Sequence, residues 1–160
     1  MPQYCFPTRR SLLSILLVPT IITSALSAQT PAPSDIYVGN GYFSGEYYDF
    51  FTDQAGLNQV NISDYIFYKG NTYTFHKISG YSHPFYLSDT PRSSGSYHRG
   101  TITLPVTSSA NPSRLNGIVS GESMSVTIPA SYSNTLYYYC TKLNHTTMVA
   151  SLNVGDPPSY

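Results

Sequence analysis

The chain has 160 residues, the length of a single domain, and its eight Lys and Arg balance eight Asp and Glu. Charged residues make up 10% of the chain, which excludes the basic footprint of a nucleic-acid-binding protein and the acidic composition of a disordered tail. Aromatic residues reach 14%, with 16 Tyr and no Trp, and this composition favours strands over helices.

Residues 1–28 have the features of a secretory signal peptide. Arg9 and Arg10 precede a short apolar run over 11–18, and small residues follow at 25–28. The apolar run is too short to span a bilayer. We therefore expect cleavage near Ala28 and export to the periplasm or the extracellular space, with no stable membrane insertion after cleavage.

The remaining chain divides into a linker, a domain and a tail. Residues 29–34 contain two prolines and no periodicity and predict a linker, residues 35–154 form the domain, and residues 155–160 form a loose tail. Near the start of the domain, the sequence Gly-Asn-Gly at 39–41 predicts a turn. Residues 65–68 and 72–75 predict a β-hairpin that is closed by a Gly-Asn turn at 70–71.

The rest of the domain consists of short strand patterns. They lie at 83–87, 100–106, 123–128, 136–140 and 148–154. In the third of these, Met124, Val126 and Ile128 alternate with hydroxyl residues, which is typical of a strand with one buried face. Short strands separated by Gly, Pro, Ser and Asn predict an all-β sandwich or barrel with no substantial helix.

The cysteines point to a functional loop. The chain has two, Cys5 and Cys140, and Cys5 leaves with the signal peptide. The exported protein then carries a single thiol, Cys140, into an oxidising compartment. Three roles are open for this thiol: an idle buried residue, an intermolecular bridge or a ligand. His145 and Met148 follow Cys140 in one loop between two strands, which favours the ligand.

A second imidazole from another strand would complete a metal site. Cys140 and His145 arise from the same end of the sandwich, and His83, at the start of a strand, is the best-placed addition. Two imidazoles, one thiolate and a weak thioether form the trigonal ligand set that suits copper. The thiolate and the thioether favour Cu(I), whereas the imidazoles accept Cu(II), and this compromise suits one-electron transfer.

Several segments resemble the cupredoxins, the type 1 blue copper proteins. The matching segments, in the family's order, are 70–75, the His-Pro-Phe at 83–85, 126–130, 136–140 and the pair His145 and Met148. The resemblance implies a Greek-key sandwich with one copper ion at one end and His83, Cys140, His145 and Met148 as ligands. It also implies electron transfer between partner proteins.

The other histidines have simpler interpretations. His76 has the opposite parity to Tyr73 and Phe75, so its side chain is predicted to face solvent. His98 lies in a polar loop and is predicted to be at the surface. Met148 shares its parity with the apolar positions that follow it, so it fits a core position as well as an axial ligand.

The sequence thus predicts an exported, monomeric, mononuclear copper protein that transfers single electrons between redox partners. It does not predict an enzyme, because the chain has no His-x-His pair for a trinuclear copper cluster and no nucleophile elbow. Two alternatives remain open: an extracellular β-sandwich for binding or structure without functional copper, and a copper-handling protein without redox work.

Overall fold

The structure is a computed structural model that describes residues 29–90, 92, 104, 106–110 and 117–159. The predicted signal peptide, His98 and most of the strand predicted at 100–106 lie outside these ranges. Within them the protein is all-β, as predicted, and the one helical element is a 3-10 turn at Ile62–Asp64. No helix in these ranges has the length and apolarity needed to cross a membrane.

The described strands form three sheets. In chain order they are β1 (Thr30–Pro31), β2 (Asp35–Gly41), β3 (Tyr48–Phe51), β4 (Gln59–Val60), β5 (Tyr65–Tyr68), β6 (Thr72–Lys77), β7 (Phe85–Ser88), β8 (Val106–Ser108), β9 (Ser123–Thr127), β10 (Leu136–Cys140), β11 (Val149–Leu152) and β12 (Val154–Gly155). The sheet orders are β4-β3-β2-β6-β9-β8, β11-β10-β7 and β1-β5-β12. Parts of the predicted linker and tail join the last sheet, since β1 and β12 both pair in parallel with β5.

The core lies between the six-stranded sheet and the two smaller sheets. Burial alternates along β6 and β9, as expected for strands with one face on a core. The ring of Phe75 on β6 stacks on Phe85 of β7 at 5.3 Å between centroids, and Phe50 on β3 meets Tyr138 of β10 at 5.4 Å. These contacts between sheets give the sandwich that the strand pattern predicts. The Greek-key order of connections stays a prediction.

The predicted hairpin at 65–75 is wrong in its pairing. Both strands form, but β5 joins the three-stranded sheet β1-β5-β12, whereas β6 lies in the six-stranded sheet, between β2 and β9. The two strands pack face to face across the core, with Phe67 against Tyr73 at 4.9 Å between ring centroids. A hairpin would join β5 and β6 by backbone hydrogen bonds. Here a side chain links them, because the Tyr73 hydroxyl accepts a hydrogen bond from the Tyr68 backbone N–H at 2.7 Å. Large apolar side chains on both strands favour burial on opposite sides of one core over pairing side by side.

The predicted turn at 39–41 is also wrong. These residues end β2, which pairs with β3 through a register shift between Val38 and Gly41. A β-bulge accommodates the glycines within the strand. Gly41 is needed there because the strand passes close to His83, a contact that no local sequence pattern reveals.

Candidate metal centre

Strand pairing brings the first two predicted ligands to one end of the sandwich. β10 runs antiparallel to β7, with Cys140 opposite Phe85, so His83 lies just beyond the paired residues. The backbone N–H of Thr141 donates to the carbonyl of Pro84, which extends this pairing past the strand end. The side chain of Cys140 is fully buried and that of His83 is half-buried.

Two consecutive turns return the loop between β10 and β11 toward Cys140. The His145 N–H donates to the Lys142 carbonyl at 3.1 Å, and the Met148 N–H donates to the His145 carbonyl at 3.0 Å. The Cys140 N–H in turn donates to the Met148 carbonyl at 3.1 Å. These bonds close the loop on itself and place the imidazole of His145 beside the thiol.

Three of the four predicted ligands form a compact cluster. The potential ligand atoms of His83, Cys140 and His145 all lie within 4.8 Å of one another. The Cys140 Sγ is 3.2 Å from the His145 Nδ1, and the two imidazole centroids are 4.6 Å apart. The Nδ1 atom of His83 is shielded from solvent and has no hydrogen-bond partner among the described residues.

This geometry fits a metal ion. Ligands held at about 2.0 to 2.3 Å from one ion lie roughly 3.5 Å from one another, so only a small contraction of the cluster would be needed. A buried imidazole nitrogen without a hydrogen bond is unfavourable in a folded protein, and a metal would satisfy it. The donor set of two imidazoles and one thiolate is the in-plane set expected for copper.

The protonation states favour binding through neutral imidazoles. Burial lowers the pKa of His83 and of His145, and nearby positive charge at Lys142 lowers both further. Burial raises the pKa of the Cys140 thiol, although a hydrogen bond from the Lys142 backbone and the positive charges of Arg92 and Lys142 oppose this rise. Without a metal, the centre therefore holds two neutral imidazoles and a protonated thiol at neutral pH, and only the thiol must lose a proton to become a ligand.

Met148 lies at the inner end of the loop. Its side chain is fully buried, and its backbone bonds to both Cys140 and His145. This position agrees with a core residue and with an axial ligand alike, so the axial role stays a prediction.

Four residues that shape the centre are not predicted from the sequence. Phe43 packs edge-on against the rings of both histidines, at 5.6 Å from His83 and 4.8 Å from His145 between centroids, although 58% of Phe43 is exposed. The Tyr48 hydroxyl donates to the Pro84 carbonyl at 3.0 Å. The other two are Gly41, which makes room for His83, and Arg92, which binds the loop. All four are at least 48 residues from Cys140 in the chain and belong to no motif.

His76 and Lys77, the last two residues of β6, have their side chains on opposite faces of the sheet. His76 is on the outer face as predicted, where its Nε2 lies 2.8 Å from the Asp35 carboxylate and its ring stacks on Tyr37. Lys77 is on the inner face and is buried, with its amine 5.2 Å from the centroid of the Tyr48 ring and hydrogen-bonded to the Gly39 carbonyl. A lysine at a core position is the one departure from the apolar pattern of this strand.

Comparison with known proteins adds no assignment: no protein-family model, no curated protein and no solved structure matches this chain.

Proposed function

We propose that this protein is an exported mononuclear copper protein of the blue copper type, which passes single electrons between redox partner proteins. The observation that carries the proposal is the cluster of His83, Cys140 and His145, whose ligand atoms lie within 4.8 Å of one another at one end of an all-β sandwich. Copper bound there would supply a one-electron couple.

The surroundings of the three side chains suit electron transfer. Backbone pairing of β7 with β10 fixes the spacing of His83 and Cys140, and the closed loop fixes His145. Ligands held in this way move little when the charge of the site changes. A small reorganisation favours fast one-electron exchange over chemistry that needs ligand movement.

Two exposed apolar side chains lie beside the centre. Phe43 contacts both imidazoles and is more than half exposed, and Leu143, within the ligand loop, is 43% exposed. We propose that a redox partner docks transiently on this surface and that the protein acts as a monomer.

Visible and electron paramagnetic resonance spectra after addition of one equivalent of Cu(II) test the proposal. We expect an intense thiolate-to-copper band and narrow copper hyperfine splitting, both lost in Cys140→Ser. His76→Ala is the matched control, because it removes an imidazole that lies outside the cluster and should leave both signals intact.

Two other outcomes would contradict electron transfer. A pale, ordinary Cu(II) spectrum that is the same in Cys140→Ser would favour a β-sandwich without functional copper. Tight Cu(I) binding with no stable Cu(II) form in voltammetry would favour copper handling.

A further inference from the structure

One buried arginine from another part of the chain donates hydrogen bonds to four carbonyls of the loop that carries Cys140 and His145. Arg92 lies four residues after β7, and its Nη1 donates to the carbonyls of Cys140 and His145, the latter at 2.5 Å. Its Nη2 donates to the carbonyls of Lys142 and Leu143. The side chain is only 9% exposed.

The shape of the guanidinium explains why this residue can hold a loop. A guanidinium is planar and presents its N–H groups in a fixed fork, so four carbonyls bonded to it are held in one relative arrangement. Hydrogen bonds from a charged donor are about twice as strong as neutral ones, and burial shields these from water.

Arg92 reinforces the two turns that return His145 to Cys140. The carbonyls of Lys142 and His145 already accept bonds from loop N–H groups, and Arg92 donates a second bond to each. His83 lies two residues before β7, and Arg92 lies four residues after it. The same short segment therefore carries one predicted ligand and the residue that holds the loop with the other two.

We propose that Arg92 is the positioning residue that holds the 140–148 loop in its metal-binding conformation before any metal binds. The loop then needs no folding step on metal uptake. The redox consequence, which rests on the proposed function, is that one ligand geometry serves both oxidation states.

Hydrogen exchange of the metal-free protein, measured by nuclear magnetic resonance, tests the positioning role directly. The N–H groups of His145 and Met148 report on the two turns, and that of Val126 in β9 reports on the remainder of the sandwich. In Arg92→Gln we expect exchange at His145 and Met148 to accelerate about tenfold or more, with Val126 unchanged.

Two further variants separate the effect of the guanidinium geometry of Arg92 from the effect of its positive charge. Arg92→Lys keeps a cation but cannot span four carbonyls, so it should accelerate exchange as Arg92→Gln does. Lys142→Gln removes a positive charge from the same loop while keeping every Arg92 bond, since those bonds reach the Lys142 backbone. Its exchange rates should stay within about twofold of the unmodified protein.

Several results would overturn the proposal. One is unchanged exchange at His145 and Met148 in Arg92→Gln, and another is equal acceleration in Lys142→Gln, which would indicate a charge effect. If Arg92→Gln does not fold, Arg92→Lys decides by the same criterion. If neither folds, Arg92 is a folding residue and has no separate positioning role.

The copper-loaded protein provides an independent measurement. If the unmodified protein gives the blue spectrum, Arg92→Lys should weaken the thiolate band and widen the hyperfine splitting, whereas Lys142→Gln should do neither. If the unmodified protein gives no blue spectrum, the proposed function fails, but the exchange rates of the metal-free loop still decide whether Arg92 positions it.

Discussion

The backbone of Gly41 is in close contact with the side chain of His83. A β carbon added at residue 41 would lie 2.5 Å from the Cβ of His83 and 2.7 Å from its Cγ. These atoms are at the base of the side chain, so His83 could not avoid the contact by rotating its ring alone. The end of β2 thereby sets the position of a predicted ligand that is 42 residues away in the sequence.

Gly41→Ala should therefore damage the metal centre more than the fold. We expect it to displace His83 and to abolish or strongly weaken the thiolate-to-copper band, since one in-plane imidazole would be misplaced. The spectrum of the Cu(II)-loaded variant, with circular dichroism to verify folding, measures this.

Gly121→Ala is the control for Gly41→Ala. Gly121 has a φ of +87°, so alanine there is strained, but no atom lies within 4 Å of the added carbon. We expect this variant to lose about 1 kcal/mol of stability and to keep the unmodified spectrum. A normal blue spectrum in Gly41→Ala would contradict the role of Gly41 in positioning His83.

Metal binding at neutral pH should release one proton. The raised pKa of the Cys140 thiol means that it is protonated before binding, whereas the lowered pKa values of His83 and His145 mean that both imidazoles are already neutral. Below the thiol pKa, the affinity should fall about tenfold per pH unit as the pH decreases. Calorimetric titration with redox-inert Zn(II), in two buffers of different ionisation enthalpy, counts the protons.

The same titration of Cys140→Ser should release no proton, because serine does not ionise in this range. Release of two or more protons by the unmodified protein would mean that an imidazole is charged before binding, contrary to the burial of these side chains.

Lys77 should make the protein more stable as the pH rises from 8 to 10. Burial lowers its pKa from 10.5 to about 8, so in this window the unfolded chain binds more protons than the folded one. The free energy of unfolding therefore increases with pH, by about 2 to 3 kcal/mol from this group. Below pH 8 the Lys77 amine is charged in both the folded and the unfolded chain, so burial of this charge lowers the free energy of unfolding by its full amount.

Lys77→Met should remove this rise, because methionine does not titrate. Denaturant unfolding at pH 7, 8, 9 and 10 measures the trend at or below the usual pKa of tyrosine. Lys69→Met is the control, since the Lys69 amine pairs with the Asp156 carboxylate near the surface at 2.9 Å, and this variant should keep the rise. Equal pH dependence in the unmodified protein and Lys77→Met would contradict the effect of burial.

Met148→Leu should distinguish an axial ligand from a core residue. The substitution nearly conserves volume, so we expect it to lower stability by less than about 1.5 kcal/mol. Replacing the thioether with a hydrocarbon makes the site more apolar, which disfavours the more highly charged Cu(II), so the reduction potential of the copper protein should rise. Protein-film voltammetry measures this change.

Met124→Leu is the matched control for Met148→Leu. Met124 is equally buried, on β9 of the six-stranded sheet, and it should not affect the potential. Identical potentials in the two variants would assign Met148 to the core alone.

Most of the described strands after residue 64 are predictable from the sequence, but β2, β3 and β4 were not predicted, and neither was the pairing of the strands. The strand at 136–140 forms with the predicted ends, and that at 123–128 is one residue shorter. Local alternation defines which residues form a strand and which face is buried. It does not say which strand lies alongside, and so β5 and β6 were predicted to pair although they lie on opposite sides of the core.

The sequence by itself determined the all-β class and the residue types of the candidate centre, because both depend on local pattern and on the chemistry of His83, Cys140 and His145. Only the tertiary structure decided what surrounds them. Gly41, Phe43, Tyr48 and Arg92 reach the centre through sheet pairing and loop closure. Contacts between residues far apart in the chain depend on how buried surfaces fit together, and a linear pattern does not contain that information.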